Sequence, residues 1–497
     1  MDYFFEKTTS RHQKMAETLL PHPAHQSERR RKWDDICRDV VRRGRRTGLF
    51  YHTQLERYYR ILAPPGLTIL EIGCGYGDLL DALRPRYGLG VDFSRQMIAQ
   101  ARKKHPHLDF ICADGHQLAL NARFDVIILS DLINDLWDVQ SVLTAMTPFS
   151  HARTRIIVNF FNNIWQIPLG LARKAHLAAD MLEQNWLTPE DVSNLLHLSG
   201  FEQITHQTKI LFPLQWPLLE PLLNRFLVNF PPFHLLGLTN FIVARPAASP
   251  QNPTSHIVHL MVSVIVPARD EAGNIRGLIQ RTNIPGYKTE LIFVEGGSTD
   301  GTGEVIRRIA GEFPGKTCRL IKQPGKGKGD AVRAGFNAAG GDILIILDAD
   351  MTVPPEYLPR FTEALVSGKG DFINGVRLVY PLENKSMRFL NMVINKIFGL
   401  LFSWLLGQPI KDTLCGTKAL WKKDYERMRQ NPDGLNLMDP FGDFDLLFNA
   451  ARINLKIVDL PVRYRRRRYG TTKIKRWRHG WVLIKMFFLS ARRIKFR

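Results

Sequence analysis

The chain has 497 residues, more than one hydrophobic core commonly supports, so its length predicts at least two domains. A hydrophobic fraction of 44% and a charged fraction of 23% are typical of globular proteins and exclude a largely disordered chain. The net charge of +21 is unusual. It indicates an anionic partner, such as a membrane surface, a phosphorylated substrate or nucleic acid.

Residues 1–44 form a basic segment with helical spacing. The basic run at 29–46 has carboxylates among its cations, which favours a solvated helix face. The N-terminus lacks the basic-then-apolar order of a signal peptide, and no run of about 18 uncharged apolar residues predicts a spanning helix. Five cysteines without paired or metal-ligand spacing predict reduced thiols. These features predict a cytoplasmic protein.

A Pro, Ser, Asn and Gln-rich linker at residues 247–259 separates two halves of the chain. In both halves, β-branched runs alternate with amphipathic helical patterns. This alternation predicts an α/β protein of two domains, each with a largely parallel sheet covered by helices. The predicted domains are residues 45–246 and 260–475, followed by a basic amphipathic tail at 476–497.

The predicted strands should place functional residues at their carboxyl ends, where ligands of open parallel sheets bind. The strands before the linker are LTILEIG, YGLGVDF, LDFICAD, FDVIILS and TRIIVNFF. The strands after the linker are VSVIVPA, ELIFVEG, CRLIKQP and ILIILDA.

The first strand leads into the turn EIGCGYGD, whose glycines allow a close approach of the backbone to a ligand. The G-x-G-x-G spacing differs from the G-x-G-x-x-G of dinucleotide-binding proteins, and simple packing is an alternative. The second strand ends in Asp92, whose carboxylate can accept both ribose hydroxyls. The third ends near Asp114, which can reach an adenine amino group. The three strand ends together predict a nucleoside pocket.

This order of motifs resembles the class I S-adenosylmethionine-dependent methyltransferases over residues 45–246. The resemblance implies a Rossmann-like fold that binds S-adenosylmethionine, with the methyl donor beside Ser130 or Asp131. The cofactor-binding residues that it implies are Glu71, Gly73, Gly75, Gly77, Asp92, Asp114 and Ser130. Apolar inserts after the fourth and fifth strands could form a lipid-facing acceptor pocket, but a packing lid is the favoured interpretation.

In the second half, Asp348 and Asp350 follow the strand of the stretch DILIILDADMTVPPE. Side chains one residue apart on a strand point to opposite faces, so both reach one ion only if the strand ends and the chain turns. The two prolines favour such a turn. A few carboxylate oxygens suit Mg²⁺ or Mn²⁺ that completes its shell with phosphates, whereas turn formation alone is the alternative.

Neighbouring motifs, VIVPARDEAGNI, VEGGSTDGT and GKGKGDAVRAGF, extend this pattern. The series strongly resembles glycosyltransferase family 2, whose GT-A fold binds nucleotide-sugars through a divalent metal. The resemblance implies that Asp348 and Asp350 hold the metal and the diphosphate. It implies nucleotide-binding roles for Pro267, Ala268, Arg269, Glu271 and Glu295. The family usually has two acids before GS, but Gly296 takes the second position here, which leaves UDP and GDP open.

Later motifs, including DTLCGTKAL and RRRRYGTTKI, are similar to the dolichyl-phosphate mannose synthase group, which transfers a sugar to a polyprenyl phosphate. This similarity implies that Arg377 and Arg388 bind the acceptor phosphate, and that Arg468 and Lys473 contact the donor. An acceptor phosphate needs no general base. A sugar hydroxyl would need one, and Asp443 stands where the wider family carries it, with Asp445 as its competitor and a helix N-terminal acid as the alternative.

The region from Arg463 to Arg497 contains 14 Lys or Arg and no acid. Its interleaved cations and apolar residues favour a helix on anionic lipid over nucleic acid, because no nucleic-acid-binding motif accompanies them. The sequence thus predicts a bifunctional methyltransferase and metal-dependent glycosyltransferase, peripheral on the inner face of a membrane, with a lipid-linked or saccharide acceptor. The alternatives are a transferase onto a soluble sugar hydroxyl with Asp443 as base, or one half that only binds.

Overall fold

The computed structural model describes residues 23–43, 49–174, 182, 184–248, 260–377, 379, 389–430, 442–467, 469 and 476–496. The chain forms two compact units that divide between Ala247 and Ala248, at the start of the predicted linker. Each unit is built on a seven-stranded sheet of its own.

The elements of the N-terminal unit alternate between helices and strands. Its helices are α1 (Pro23–Arg43), α2 (Leu49–Leu62), α3 (Asp78–Ala82), α4 (Arg95–Lys104), α5 (Val139–Ala145), α6 (Gln166–Lys174) and α7 (Pro189–Leu198). Its strands are β1 (Thr68–Ile72), β2 (Tyr87–Asp92), β3 (Asp109–Cys112), β4 (Val126–Ser130), β5 (Arg155–Phe161), β6 (Phe201–Lys209) and β7 (Thr239–Pro246).

The first sheet has the strand order β3-β2-β1-β4-β5-β7-β6. Strand β7 runs antiparallel to β5 and β6, and the other pairs are parallel. The neighbouring residues Ile69 and Leu70 of β1 lie in different buried clusters, so helices cover both faces of the sheet. The strand order reverses between β1 and β4, where a ligand is expected beyond the carboxyl ends.

The C-terminal unit repeats this alternation. Its helices are α8 (Ile275–Arg281), α9 (Thr302–Glu312), α10 (Lys328–Ala338), α11 (Leu358–Val366), α12 (Phe389–Leu406), α13 (Lys422–Gln430), α14 (Asp443–Arg452) and α15 (Arg476–Ile494). Its strands are β8 (Met261–Ala268), β9 (Lys288–Glu295), β10 (Thr317–Lys322), β11 (Ile343–Ile346), β12 (Phe372–Val376), β13 (Lys418–Trp421) and β14 (Ile457–Pro461).

The second sheet has the strand order β10-β9-β8-β11-β13-β12-β14. Only β13 is antiparallel to its neighbours. Val264 and Ile265 of β8 again lie in different buried clusters. The predicted pair of largely parallel, helix-covered sheets is therefore confirmed. In the part of the chain that the structure covers, no helix is both long and apolar enough to cross a membrane.

Helix α15 presents two different faces. Met486 is buried, and the ring of Phe487 lies 5.9 Å from that of Phe402 on α12. On the other side, Trp481 is 71% and Phe488 65% exposed. One face of the basic helix therefore packs against the unit, and the other leaves large apolar side chains in solvent.

Candidate active sites

The carboxyl end of β1 leads into a tight turn built on glycine. Gly73, Gly75 and Gly77 have φ values of 78°, 51° and 75°, in the left-handed region that favours glycine. A Cβ on Gly73 would lie 2.9 Å from Leu132 Cδ1, and one on Gly77 would lie 2.6 Å from the Phe110 ring. The turn therefore requires glycine and leads directly into α3.

Two buried carboxyl groups lie beside this turn. Asp92 ends β2 and accepts hydrogen bonds from Gly75 N at 3.0 Å and Ser94 N at 2.9 Å. Glu71 is 2% exposed, and its Oε2 has no hydrogen-bond donor among the described residues. Burial raises the pKa of both carboxyls. A buried oxygen without a protein donor is a position to which a bound ligand can donate.

Asp114 follows β3 at the same edge of the sheet. Its Oδ1 accepts a hydrogen bond from His116 N at 2.9 Å and lies 2.6 Å from His116 Nδ1. Its Oδ2 accepts one from Gln26 Nε2 at 2.5 Å. Burial alone would raise the pKa of Asp114, but the bonds to His116 lower it, so the group is ionised at neutral pH. The glycine turn, Asp92 and Asp114 thus meet at one sheet edge.

Helix α1 packs over this edge. In addition to its bond to Asp114, it places Asp34 Oδ1 2.5 Å from Ser94 Oγ and Trp33 Nε1 2.8 Å from Asp135 Oδ2. It therefore contacts the segments that follow β2, β3 and β4. The expectation of a solvated helix face is wrong for this side of α1, because its polar side chains find partners in three loops that are distant in sequence.

A buried polar cluster follows β4. Asp131 has a φ of 51°, and its Oδ1 accepts hydrogen bonds from the Tyr51 hydroxyl at 2.9 Å and from Asn159 Nδ2 at 2.5 Å. The Tyr59 hydroxyl donates to Asn159 Oδ1 at 2.6 Å. Burial raises the pKa of Tyr51 and Tyr59, so both hydroxyls are protonated at neutral pH. Ser130 immediately precedes the cluster, so both predicted positions beside the methyl donor lie at this sheet edge.

The insert between β6 and β7 exposes large apolar side chains. Leu218 is 86%, Leu214 63% and Trp216 60% exposed. On α6, in the other predicted insert, Ile167 is 73% and Leu171 62% exposed. A packing lid would bury such side chains. The lipid-facing acceptor pocket, which the sequence analysis ranked second, stays a prediction.

In the C-terminal unit, hydrogen bonds cross-link the loops after β8 and β9. Thr299 N donates to Asp270 Oδ1 at 2.7 Å, Asp270 N to Ser298 Oγ at 3.0 Å, and Ala272 N to Asp300 Oδ2 at 3.1 Å. These loops and the strand ends before them carry the predicted nucleotide-binding residues Pro267, Ala268, Arg269, Glu271 and Glu295.

The side chains of these residues differ in accessibility. Ala268 and Glu271 are buried, whereas the Arg269 side chain is 63% exposed. Glu295 accepts a hydrogen bond from Ser298 N at 2.5 Å. Burial would raise the pKa of Glu295, but this bond lowers it. The group therefore combines the ionised carboxylate of Glu295, held by a backbone donor, with an accessible guanidinium.

The two aspartates after β11 each pair with a cation. Lys328 Nζ lies 2.6 Å from Asp348 Oδ1, and Arg467 Nη2 lies 2.5 Å from Asp350 Oδ2. Met351 has a φ of 51°, and its N donates to Asp348 O at 3.2 Å. The strand ends at Ile346, and the chain turns directly after the aspartates, as two carboxylates require to serve one ion.

Arg467 connects this turn with the loop after β8, which contains Glu271. Its Nη1 lies 3.9 Å from Glu271 Oε1. Burial would lower the pKa of Arg467, but Asp350 raises it. The other oxygen of Asp350 accepts hydrogen bonds from Thr352 N at 3.0 Å and Thr352 Oγ1 at 2.8 Å. Arg467 directly precedes the predicted donor-binding residue Arg468, so the guanidinium that contacts Asp350 lies one position earlier in sequence.

Asp443, the predicted base, is the first residue of α14 and is buried. Its Oδ2 lies 3.7 Å from Lys328 Nζ, and its Oδ1 lies 3.3 Å from Lys418 Nζ. Burial would lower the pKa of Lys328, but Asp348 and Asp443 raise it; Lys328 in turn lowers the pKa of Asp348 against burial. Lys328 and Asp348 are therefore ionised at neutral pH. Asp445 instead accepts a hydrogen bond from Asn449 Nδ2 at 3.0 Å.

Arg377 lies in a buried ion pair. Its Nε and Nη2 are 2.7 Å and 2.8 Å from the two carboxylate oxygens of Asp412, and its guanidinium is 5.1 Å from the Tyr464 ring centroid. Burial would lower the pKa of Arg377, but Asp412 raises it. Two of its donors are thus committed to a carboxylate, and its role in binding an acceptor phosphate stays a prediction. The predicted residues outside the described part of the chain are Arg388, Arg468 and Lys473.

Comparison with known proteins matches each half of the chain to a family model. Residues 69–149 match the family model for a methyltransferase domain, and residues 263–452 match the model for glycosyl transferase family 2. The chain combines a methyltransferase domain with a family 2 glycosyltransferase domain. The matched ranges contain the glycine turn of the first site and the paired aspartates of the second.

Similar proteins match one half of the chain at a time. The dolichol-phosphate mannosyltransferase of Pyrococcus furiosus is 30% identical over 222 residues, which cover 44% of this chain and 60% of that protein. The chain therefore spans less than two thirds of this relative. An S-adenosylmethionine-dependent methyltransferase from Thermotoga maritima has a TM-score of 0.33 at 15% identity and covers 44% of this chain and 96% of its own. Glucosyl-3-phosphoglycerate synthase from Mycobacterium tuberculosis, solved with Mn²⁺, UDP and phosphoglyceric acid, has a TM-score of 0.37 at 18% identity, covering 51% of this chain and 85% of its own.

The residues of both sites fit the ligands that the sequence implies, which are S-adenosylmethionine in the first domain and a divalent metal in the second. In the methyltransferase domain, the glycine turn, the acceptor oxygens of Asp92 and Asp114, and Glu71 Oε2, which has no donor among the described residues, fit a nucleoside that carries hydroxyl and amino donors. In the glycosyltransferase domain, no three His, Cys, Asp or Glu side chains that the structure describes form a metal site by themselves. Asp348 and Asp350 supply carboxylate oxygens, which fit a divalent ion that completes its shell with phosphates and water.

Sequence analysis missed several residues of these sites. Gln26 and Trp33 lie on a helix with no motif, and Tyr51 lies in an ordinary amphipathic pattern. Lys418 was missed because its burial is not visible in the sequence. It is fully buried in the short strand β13, and lysine is almost never fully buried unless it is paired.

Proposed function

We propose that the glycosyltransferase domain transfers a sugar from a nucleotide-sugar to a polyprenyl phosphate, with a divalent metal on Asp348 and Asp350. The observation that carries this proposal is the pairing of these two aspartates with Lys328 and Arg467 at 2.6 Å and 2.5 Å. Cations that neutralise the aspartates can also neutralise donor phosphates at the same position. The name of the Pyrococcus furiosus relative supports a lipid phosphate as acceptor.

The chemistry requires orientation and charge neutralisation. An oxygen of the acceptor phosphate attacks the anomeric carbon, and the bond to the nucleoside diphosphate breaks with its electron pair on the leaving group. The bound metal would stabilise the charge of the departing diphosphate. Lys328 and Arg467 contribute further positive charge, and one such preorganised donor is worth about 10²–10³-fold in rate.

The position of Asp443 supports a phosphate acceptor over a sugar hydroxyl. Asp443 is 3% exposed, and its two oxygens face the ammonium groups of Lys328 and Lys418. Such an arrangement suits charge compensation inside the domain better than proton abstraction from a substrate. A hydroxyl acceptor with Asp443 as its base is the second candidate.

For the other half, we propose an S-adenosylmethionine-dependent methyltransferase whose acceptor is presented at an apolar surface. The cofactor would bind along the glycine turn, with Asp92 and Asp114 accepting hydrogen bonds from its ribose and adenine. The exposed side chains Trp216 and Leu218 support an acceptor that lies at a lipid surface.

Peripheral membrane contact belongs to the same proposal. On α15, the exposed rings of Trp481 and Phe488 accompany the exposed cations Lys485 and Arg492. This combination suits insertion of apolar side chains among anionic headgroups.

A donor screen tests the proposed function. The full chain is incubated with Mn²⁺, polyprenyl phosphate and a panel of UDP- and GDP-sugars, with a soluble monosaccharide as the competing acceptor. We expect at least one donor to give glycosylated lipid, and we expect no sugar transfer to the monosaccharide. Transfer to the monosaccharide alone would overturn the lipid-phosphate acceptor, and the absence of turnover with every donor would overturn the glycosyltransferase proposal.

A further inference from the structure

Gly296 lies beside the strand ends of β8, β9 and β10 in the glycosyltransferase domain. It follows β9, and its N donates to Ala268 O at 3.0 Å. A Cβ on Gly296 would lie 2.8 Å from Gln323 Oε1 and 3.5 Å from Arg269 Cβ. Gly297 has a φ of 72°, but Gly296 is not among the glycines with positive φ. The backbone at 296 therefore does not require glycine, and the Gln323 amide occupies the space that a side chain would take.

The amide of Gln323 is held in one orientation. Its Nε2 donates to Gly327 O at 2.8 Å and to Asp330 Oδ2 at 3.1 Å, and its backbone N donates to Glu295 O at 2.8 Å. The reversed amide would place its oxygen against two oxygen acceptors. Oε1 consequently faces Gly296, and no residue within the described ranges donates a hydrogen bond to it.

We propose that Gln323 Oε1 selects the base of the nucleotide-sugar by accepting a hydrogen bond from a ring N–H. This inference rests on the proposed function, in which the nucleotide binds at the ends of β8 and β9. Uracil and guanine carry a hydrogen on the ring nitrogen of their pairing edge, whereas cytosine and adenine carry a lone pair there. With cytosine or adenine, the ring nitrogen and Gln323 Oε1 would both be acceptors, so neither atom would gain a hydrogen bond from the other.

The same geometry accounts for glycine at position 296. A longer side chain at that position would meet the Gln323 amide, so only one of the two residues can supply the acceptor. Gln323 offers a neutral oxygen that stays an acceptor at every pH. The selection that we propose is therefore between ring N–H bases and the others, and it leaves the choice between uracil and guanine to other contacts.

Calorimetric titration of the full chain with UDP, GDP, CDP and ADP in the presence of Mn²⁺ tests this inference. We expect the wild type to bind UDP or GDP at least about tenfold more tightly than CDP and ADP. Gln323→Leu removes the acceptor at similar volume and should reduce this ratio to about threefold or less.

A second variant tests the same oxygen without deleting the amide. Gly296→Ala places a methyl group against Gln323 Oε1 and should also narrow the ratio. Gly311→Ala is the matched control, because a Cβ at Gly311 has nothing within 4 Å, and its ratio should equal that of the wild type.

The contrary outcomes separate this inference from the proposed function. If Gln323→Leu weakens all four nucleoside diphosphates equally, the residue only supports its loop, and the inference falls while the proposed function stands. A wild-type preference for CDP or ADP would overturn the inference in the same way. If the wild type binds none of the four, the proposed function fails and the inference fails with it.

Discussion

Lys328 Nζ lies 2.6 Å from Asp348 Oδ1 in the glycosyltransferase domain. The same nitrogen lies 3.7 Å from Asp443 Oδ2, so one ammonium serves the carboxylates of two segments that are far apart in sequence. Together with the pair between Arg467 and Asp350, this ion pair places a cation beside each of the two aspartates after β11 before any ligand binds. Its contribution to stability can be measured without knowledge of the substrate.

Replacing Lys328 by Met should destabilise the glycosyltransferase domain at neutral pH, because two carboxylates lose their shared cation. Breaking a fully buried ion pair costs about 3–5 kcal/mol; we expect about 1–2 kcal/mol here, since 23% of the Lys328 side chain is exposed. Urea unfolding at pH 7 measures the effect. The exposed Lys326→Met is the matched control and should stay within about 0.5 kcal/mol of the wild type. Equal stability of the two variants would contradict the prediction.

The same pair predicts the pH dependence of stability. The folded-state pKa of Asp348 lies below its ordinary value of about 3.9. The stabilisation is therefore complete above that ordinary value and is lost as the pH falls through the folded-state pKa. Without Lys328, burial raises the pKa of Asp348 in the variant. The stability difference between wild type and Lys328→Met should therefore be largest at neutral pH and shrink as the pH falls toward about 4. A difference that grows on acidification would count against the pair.

Asp350→Ala should abolish metal-dependent sugar transfer, with a loss of at least about 100-fold in kcat. The physical reason is that one of the two proposed ligands of the metal and diphosphate is removed and Arg467 loses its partner. Glu363→Ala, an exposed acid on α11, is the control and should keep wild-type turnover. Full activity of Asp350→Ala in EDTA would refute the assignment of this site.

Asp443→Asn distinguishes the two acceptor chemistries. With a lipid phosphate as acceptor, we expect less than about a tenfold loss in kcat and an unchanged pH profile, because no proton is removed from the acceptor. With a hydroxyl acceptor, the loss of a general base would cost about 10²–10⁴-fold and remove the acidic limb of the profile. Asp445→Asn on the same helix turn is the control for helix N-terminal charge.

Asp92→Ala should weaken S-adenosylmethionine binding by at least about tenfold, because the ribose loses a charged acceptor and Gly75 N loses its partner. Calorimetric titration of the full chain measures this. Glu190→Ala, an exposed acid in the first turn of α7, should bind like the wild type. Unchanged affinity in Asp92→Ala would contradict the proposed cofactor site.

The exposed face of α15 predicts lipid binding. A Trp481→Asp, Phe488→Asp double variant should lower partitioning onto phosphatidylglycerol-containing vesicles by at least about tenfold, because each inserted aromatic contributes about 1.5–3 kcal/mol. Leu198→Asp is the control, since Leu198 is 57% exposed in the methyltransferase domain. Co-sedimentation measures the partitioning, and an equal effect of both variants would argue against α15 as the contact.

The sequence predicted those strands whose burial is expressed as β-branched runs. Strand β11, ILII, is buried throughout, and such runs mark strands covered on both faces. Strand β6 was not predicted, because Glu202, His206 and Lys209 interrupt its apolar pattern. The short strands β12, β13 and β14 were missed for a similar reason, since Asn374, Lys418 and Asp459 interrupt their apolar runs.

The site residues likewise divide into those that the sequence could predict and those that it could not. Residues at strand ends, such as Asp92 and Asp348, could be predicted because parallel sheets bring carboxyl ends together. Their partners could not be predicted, because Gln26, Lys328 and Arg467 reach them from segments whose placement depends on tertiary packing. Gly296 looked like a missing acid in sequence, and the structure adds that the Gln323 amide occupies its side-chain space.

The shared ammonium of Lys328 couples ligand occupancy to protein architecture. A divalent ion on Asp348 would compete with Lys328 for the same carboxylate and change the charge that faces the first turn of α14. By thermodynamic reciprocity, any shift of that turn that favours metal binding is favoured by the metal to the same extent. Metal binding at Asp348 and the position of α14 would thus be linked, because both depend on where the ammonium group of Lys328 lies.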